Sequence, residues 1–403
     1  MTRRGDARSF RRAIRSPCSK DLMHIAHVVP TYPPYRGGVG QLAAEYATRL
    51  RARGHDVRIF TPRYRPTPGD PDFVHRLGSP LRVGNAAFVP SLVARLRGFD
   101  VVHLHYPFFG GAELVLLRKW MHPGQPLVLS YHMDAVADGA RGALFRLHAR
   151  LVLPRIIAGA DRVLVSSTDY ASHSALAGIG TVLSRVEVHP YGVDTERFHP
   201  GYEPALRERL RIAPDEMVVI FVSRLDPAHH FKGLPILLDA LTHVRRHGWR
   251  LVVVGDGSQR SGFERLAASL GIADRVFFAG DVSDADLPAY YRAADVHVCP
   301  STAAAEAFSL VTLEAAASGI PTVASSLPGV RTVVVHGETG VHVVPSDPVS
   351  LGLALDSLDG PARTARGRAA RARAQAHFQW EPAIVRLEQT YREVVGSVRG
   401  AEV

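Results

Sequence analysis

Short runs rich in β-branched residues alternate with amphipathic stretches along this chain, and the alternation stops once and starts again. The first series is "HIAHVVP", "DVRIFTP", "DVVHLHY", "PLVLSYH", "DRVLVSS" and "VEVHPYG", each of strand length. After the first of these, Leu42, Tyr46 and Leu50 recur at four-residue spacing from Val39 to Arg53, and Gly54 supplies a helix stop. Strands separated by helices commit a chain to parallel pairing, and a parallel sheet needs helices on both faces. The second series is "MVVIFVSR", "RLVVVGDG", "RVFFAGD", "VHVCPS", "IPTVASS" and "GVHVVPS". Between the two series, "YGVDTERFHPGYEPALRERL" is rich in Pro, Gly and charge, which places a linker around 194–212. The expected fold class is α/β: two doubly wound, Rossmann-like domains facing across a cleft at the carboxyl ends of their strands. A final amphipathic helix is expected from near Trp380. The boundaries are a basic extension over 1–22, a first domain over 23–200, a second over 201–378, and a C-terminal helix and tail over 379–403.

A length of 403 residues also exceeds what one core of typical size organises. No apolar run approaches the roughly 18 to 20 residues of a membrane-spanning helix. The longest candidates, Ala86 to Leu96 and Leu151 to Ala160, are short and carry Arg or Pro. The net charge of +10 points to anionic partners, yet half of the excess lies in residues 1–22, where seven Arg or Lys meet only Asp6 and Asp21. That stretch lacks the apolar core of a secretory signal, and Met23 follows it. Three readings stay open for it: a disordered extension, a polybasic contact with a membrane surface, or an upstream start codon without physical role. Cys18 and Cys299 give neither a disulfide framework nor metal spacing, which fits a reducing cytoplasm. Arg363, Arg366, Arg368, Arg371 and Arg373 read as a solvated helix face, since no nucleic-acid-binding signature accompanies them.

Several loops at strand ends carry chemistry-bearing residues. In "VSRLDPAHHFKGLPILLDAL", Arg224 and Lys232 follow a strand, and two such cations can neutralise a diphosphate through a planar fork and a point charge. Gly255 and Gly257 follow an apolar strand and let backbone amides approach an anion. Arg260 stands where a dinucleotide fingerprint would need its third glycine, which disfavours a nicotinamide or flavin enzyme. Asp284 and Asp286 spell D-x-D but open a helix, where acidic side chains cap, so no metal follows from them. In the first half, Gly37, Gly38 and Gly40 lie in a strand-to-helix loop, and His132 and Asp134 lie just past a strand. Glu306 and Glu314 stand eight positions apart across the start of a helix. A carboxylate is costly to bury unpaired, so this pair reads as a solvated face or as a ligand-facing pair.

Taken in order, these features resemble glycosyltransferase family 4: the loop at Gly37 and Gly38, the YH-x-D at Tyr131 to Asp134, the "YGVDTERFHP" linker, Arg224 and Lys232, Gly255-Asp256-Gly257, and E-x7-E at Glu306 and Glu314. The resemblance runs from Met23 to about Val395. It implies a GT-B fold with an N-terminal acceptor domain, a C-terminal nucleotide-sugar domain, and a final helix that crosses back to the first. It further implies a retaining, metal-independent transferase that moves a hexose from a nucleoside diphosphate sugar to a hydroxyl acceptor, and that needs neither a cofactor nor a protein nucleophile.

On the matching positions, Arg224 and Lys232 would bind the diphosphate, Glu314 the ribose hydroxyls and Glu306 the sugar hydroxyls. Phe308, Ser309 and Leu310 would offer backbone amides, and Val282 would meet the base. Gly37 and Gly38 would close over the diphosphate, with Gly255 and Gly257 also on the donor, while His132 would touch the transferred sugar. The YH-x-D form is similar to mannosyltransferases of polysaccharide and glycolipid assembly, so GDP-mannose is one implied donor and a UDP-sugar the other. The acceptor would be a saccharide, a lipid-linked group or a small molecule, and no nucleic acid is implied. The expected setting is cytoplasmic, with peripheral contact at the inner membrane face as a variant. Arg49, Arg51 and Arg53 would help a lipid-phosphate acceptor or merely cover a helix. Arg224 and Lys232 stand farther apart than in the common family pattern, because "DPAHHF" lengthens the loop, and "STAAAEAFSL" carries unusual alanines. Two other classes stay open: an isomerase resembling the nucleotide-sugar 2-epimerases, and a non-catalytic nucleotide or polyanion binder.

Overall fold

The computed structural model describes residues 22–35, 37–64, 69–137, 139–179, 183–246 and 248–400. The basic extension expected over 1–22 lies outside these apart from Leu22. The first half supplies β1 (His24–Val28), β2 (Asp56–Pro62), β3 (Val74–Leu77), β4 (Leu81–Val83), β5 (Ala86–Phe88), β6 (Val101–Tyr106), β7 (Leu127–Tyr131), β8 (Arg162–Val165) and β9 (Val186–Val188). Seven of them form a parallel sheet in the order β3-β2-β1-β6-β7-β8-β9, while β4 and β5 pair as a separate antiparallel hairpin. The second half supplies β10 (Met217–Val222), β11 (Trp249–Val254), β12 (Val276–Gly280), β13 (Val296–Cys299), β14 (Thr322–Ser325) and β15 (Gly340–Val343). They form a six-stranded parallel sheet in the order β12-β11-β10-β13-β14-β15. Every strand run read from the sequence is present; β3 and the hairpin were not among them, being short and mostly polar or exposed.

Strand order reverses between β1 and β6 in the first sheet and between β10 and β13 in the second. At such a reversal the helices on either side leave in opposite directions, and the loops beyond the strands' carboxyl ends open a crevice. The loops after β1, β10 and β13 carry Gly37 and Gly38, Arg224 and Lys232, and Glu306. Topology alone therefore brings most of the expected site residues to two apposed crevices.

One face of the first sheet packs Ile25, Val101, Val128 and Leu164 under the helix Gly38–Ala52 and the final helix Trp380–Gly400. The opposite face packs Ala26, Val102, Leu104 and Leu129 beneath the helices Ala112–Met121 and Leu153–Gly159. In the final helix, Ile384, Leu387, Tyr391 and Val394 recur on one face and are at most 1% exposed. Each such burial contributes about 1.5–3 kcal/mol. Polar contacts fix the register of this helix: Tyr391 Oη bonds His103 Nδ1 at 2.6 Å, and Thr390 Oγ1 donates to Glu187 at 3.0 Å. The chain thus ends on the domain in which it began. No helix among the described residues is long and apolar enough to cross a membrane.

Of the surface arginines read from the sequence, one group falls on one of its two alternatives and one residue needs correction. Arg53 donates to Glu381 at 2.8 Å and to buried Glu388 at 2.9 Å, Arg51 lies over Phe73 at 4.3 Å, and Arg49 lies over Trp380 at 5.1 Å. Arg49 and Arg53 reach the final helix and Arg51 covers Phe73, which matches the helix-covering alternative for these three. Arg371, expected on a solvated face, donates from Nη1 to the carbonyls of Thr195, Phe198 and Ala317 at 2.8, 2.7 and 2.5 Å. It ties the linker to the second domain.

Beneath the Trp380–Gly400 helix lies a set of buried histidines. His27 Nδ1 meets His105 Nε2 at 2.9 Å, His105 Nδ1 meets His132 Nε2 at 2.9 Å, and His132 Nδ1 meets Tyr191 Oη at 2.8 Å. A neutral imidazole has one donor and one acceptor, so a run of neutral rings satisfies every link, whereas a protonated ring would oppose two donors. Burial lowers His27 and His132 to about 3 and His189 to about 4, and drives His103 and His105 well below the usual 6.5. The unfolded chain binds these protons first, so the stability contributed by the neutral rings is complete above pH 6.5 and is lost as pH falls from there toward the folded-state values. The melting temperature should hold between about pH 8 and 7 and drop steadily below about pH 6. A melting temperature that stays level down to about pH 4 would show that these rings do not govern acid stability.

Candidate active site

Arg224 follows β10, and its Nε donates to Asp226 Oδ2 at 2.8 Å while its guanidinium lies 5.3 Å over the Tyr35 ring of the first domain. Burial alone would raise the Asp226 carboxyl, but the bonds from Arg224 and from the Ser258 amide outweigh it and the net shift is downward. A side chain at Gly255 would lie 1.9 Å from Ser223 O, and one at Gly257 would lie 2.3 Å from Leu225 C. Close packing of the Arg224 loop against these positions is thus one physical reason for glycine at both.

The lengthened loop continues as a short helical turn, Pro227–Lys232, and ends at Gly233 with φ of +75°. Phe231 O accepts from Thr302 N at 2.7 Å, which fastens this turn to the loop after β13. A Cβ at Gly233 would stand 2.0 Å from Pro300 O, so only glycine lets the two loops meet. Their meeting brings the Lys232 ammonium onto Glu306 Oε2, which also accepts from Ser301 Oγ at 3.1 Å. Glu306 is only 5% exposed. Burial would lower the Lys232 pKa, but the charge and hydrogen bond of Glu306, with a contribution from Cys299, leave it raised. Gly233→Ala combines a left-handed backbone with a steric clash, and should cost on the order of 1–3 kcal/mol. Its melting temperature should fall, and a melting temperature equal to the parent's would show that the two loops can meet without glycine.

Glu314 sits within the helix Leu310–Ala317, and its Oε2 accepts from Tyr291 Oη at 2.8 Å. Glu306 thus comes from the loop and Glu314 from the helix, each with its own partner. Ser309 caps that helix with φ of +70° and accepts from Thr312 Oγ1 at 2.8 Å. A non-glycine residue in this conformation stores strain of the kind found at ligand clamps. Phe308 is buried edge-on to Tyr191 with ring centroids 4.9 Å apart, Leu310 packs beside it, and Val282 is buried just past β12. Burial pushes the Glu314 carboxyl up to about 7, against the opposing bond from Tyr291. The raised value means that the folded state carries a penalty that begins above 4.5 and is complete above about 7. Glu314→Gln should therefore melt higher than the parent at about pH 8 and equally at about pH 5. Equal melting at both would place Glu314 in water.

From the first domain, Gly37 caps the Gly38–Ala52 helix in an extended conformation, and a Cβ at Gly38 would lie 3.9 Å from Leu310 Cδ1 of the second domain. The glycine loop thus stands directly across the crevice from the Ser309 cap. His132 is buried with both ring nitrogens engaged, and Asp134 accepts from Tyr131 Oη and from Ala175 N at 3.2 Å. On another lip of the cleft, Arg331 forks onto Asp169 at 2.8 and 2.7 Å, and Gly329 N donates to the same carboxylate at 2.9 Å. Asp286 stands at the N-cap position of its helix, but its side chain accepts from Ser283 Oγ at 2.6 Å and makes no cap bond; Ser283 Oγ accepts from the Asp286 amide at 3.1 Å instead.

Three residues at the site carried no role in the sequence reading. Tyr35 reaches Arg224, and Tyr191 joins His132 to Phe308; neither belongs to a periodic or charged pattern that would draw notice. His229, half-buried in the lengthened loop, has no partner for Nδ1 among the described residues, and burial with Lys232 and Arg224 nearby lowers it to about 4. The unusual length of "DPAHHF" was its only sequence signal.

Two apposed parallel sheets, joined by a linker, closed by a returning helix and carrying their polar residues at both strand-order reversals, define the GT-B class of glycosyltransferases. Residues 36–197 match the family model described as Glycosyltransferase Family 4, and residues 203–373 match Glycosyl transferases group 1. A D-inositol 3-phosphate glycosyltransferase of Acidothermus cellulolyticus is 34% identical, over 91% of this chain and 87% of that relative. Among solved structures, sucrose-phosphate synthase of Thermosynechococcus elongatus superimposes with a TM-score of 0.78 at 26% identity, covering 93% of this chain and all of that one. Anabaena Alr3699/HepE in complex with UDP-glucose has the same fold, with a TM-score of 0.73 at 22% identity and coverage of 93% and 100%. The chain belongs to glycosyltransferase family 4 and is a glycosyltransferase enzyme.

Proposed function

We propose that this enzyme is a retaining, metal-independent hexosyltransferase that draws on a nucleoside diphosphate sugar and glycosylates a hydroxyl acceptor. The observation that carries this reading is the meeting of Lys232 with buried Glu306 beside Arg224, at the strand-order reversal of the second sheet. In the free protein Asp226 neutralises Arg224 and Glu306 neutralises Lys232. A diphosphate would take over both cations and release Glu306 to accept hydrogen bonds from sugar hydroxyls. Glu314 would accept from the ribose, Val282 would face the base, and the amides of Phe308, Ser309 and Leu310 would meet phosphate or sugar oxygens. Gly37 and Gly38 would cover the diphosphate, and His132 Nδ1 would exchange the Tyr191 hydroxyl for one on the sugar.

Chemistry then follows from where charge develops. As the bond between the anomeric carbon and the diphosphate oxygen breaks, negative charge grows on the leaving phosphate, and Arg224 and Lys232 stabilise it. The acceptor oxygen bonds to the anomeric carbon from the leaving-group face and passes its proton to the departing phosphate oxygen, so the configuration is kept. Glu306, released from Lys232 and still accepting from Ser301, would orient the sugar, and no covalent intermediate is needed. Both UDP-glucose and GDP-mannose fit this scheme as donors. The D-inositol 3-phosphate glycosyltransferases among its relatives support a hydroxyl acceptor.

A nucleotide-sugar panel in a thermal-shift assay tests the reading. One nucleotide series should stabilise the parent by about 2.7 kcal/mol at a hundredfold excess over Kd, and Lys232→Ala should lose most of that effect. Glu306→Ala should lower kcat by about 10²–10³-fold, as loss of one charge-orienting group does, with a smaller change in nucleotide affinity. Stabilisation by no nucleotide sugar would remove the donor assignment. Conversion of the donor without acceptor would favour the epimerase class instead.

A further inference from the structure

The helix Gly139–Leu151 leaves the cleft end of β7, just past the loop of His132 and Asp134, and it lies on the outside of the first domain. Its inward contacts are Phe145, stacked on Phe109 with centroids 4.9 Å apart, and His148, whose Nε2 meets Glu113 Oε1 at 2.7 Å. Leu144, Leu147 and Leu151 recur at spacings of three and four, which sets them on one stripe, and they are 62, 54 and 48% exposed. The Glu113 contact joins this helix to Ala112–Met121, where Leu117, Trp120 and Met121 are 41, 62 and 57% exposed. Single exposed apolar residues are ordinary, but six large ones on two adjoining helices are not.

Charge decides what covers them. Arg141, Arg146, Arg150 and Arg155 lie within residues 139–160, which contain no Asp or Glu. Arg141, Arg146 and Arg150 make no ion pair among the described residues. A second copy docking through this face would bring the same patch, in which residues 139–160 offer no carboxylate to pair with the arginines. Anionic headgroups match the arginines, while the acyl boundary takes the leucine stripe and the Trp120 indole.

We propose that this face seats the enzyme on an anionic lipid surface. The helix starts at the cleft end of β7, so the seated enzyme presents its cleft mouth close to that surface. If the transferase reading above holds, its acceptor hydroxyl belongs to a molecule carried in the lipid layer.

Of the chain's three tryptophans, Trp249 and Trp380 are 2 and 7% exposed and Trp120 is 62% exposed, so intrinsic emission reports on this face. The full chain is mixed with vesicles of phosphatidylcholine alone, or of phosphatidylcholine with an equal amount of phosphatidylglycerol, at low and high salt. Emission should shift to the blue and the protein should sediment only with the anionic vesicles, with the low-salt affinity about tenfold or more above that at high salt. The triple variant Leu144→Ser, Leu147→Ser, Leu151→Ser should bind at least about tenfold more weakly. Arg141→Gln, Arg146→Gln, Arg150→Gln should lose the preference for anionic lipid. Parent and variants should respond alike to UDP-glucose and GDP-mannose in solution, so a failed vesicle result leaves the donor assignment standing. Absence of vesicle binding overturns the proposal. So does a parent dimer that the leucine variant dissociates, which would assign the face to a second copy.

Discussion

A carboxylate withdrawn from water needs a cation beside it, and Glu306 has Lys232. That one contact holds the crevice of the second domain together, because its members come from loops after different strands, β10 and β13. Neither loop could place its charge alone. The left-handed Gly233 and the Thr302 amide bond to Phe231 press the loops into contact, and the strained Ser309 turn then starts the helix that carries Glu314. Losing one partner would leave the other charge buried and uncompensated, so the pair couples fold and function in a single interaction.

The first domain is built to meet that crevice. Tyr35 lies against Arg224, Gly38 stands opposite Leu310, and Tyr191 abuts Phe308. Behind these contacts the histidine chain runs back from Tyr191 through His132 and His105 to His27, under the helix that ends the chain. The same helix is fastened by Glu388, which accepts from Arg53 at 2.9 Å and meets His55 Nε2 at 3.0 Å. A polar network this deep in a domain is tolerable only when nearly every member has its partner, and such a network fixes one arrangement of the helix on the sheet. The cleft wall and the returning helix are therefore parts of one packed unit.

Much of this was legible before any coordinates. The strand runs, the break near residues 194–212 and the final helix follow from hydrophobic periodicity, which is a local property. Glu306, Glu314, Arg224 and Lys232 drew notice through the family resemblance, since their spacing alone left a surface reading open; that Lys232 meets Glu306 is a finding of the structure. What stayed hidden has a common origin. Arg371 looks solvent-facing in sequence, since nothing local shows that the linker carbonyls will arrive beside it, and nothing local shows that Arg49 and Arg53 will meet the final helix. The packing of the Arg224 loop on Gly255 and Gly257 is equally hidden in sequence, because that loop belongs to the preceding strand.

By itself the sequence determined the α/β class, the two-domain division and the family, because each depends on short-range pattern or on residue identity. Tertiary structure alone decided which cation meets which carboxylate, that Tyr35, Tyr191 and His229 stand at the site, and which arginines are held by carbonyls rather than left to partners. It also decided that the leucines of residues 139–151 stay uncovered while an equally apolar stripe on the final helix is buried. Periodicity states that a helix has an apolar face; only the positions of the other elements determine whether that face finds a sheet or is left for a partner.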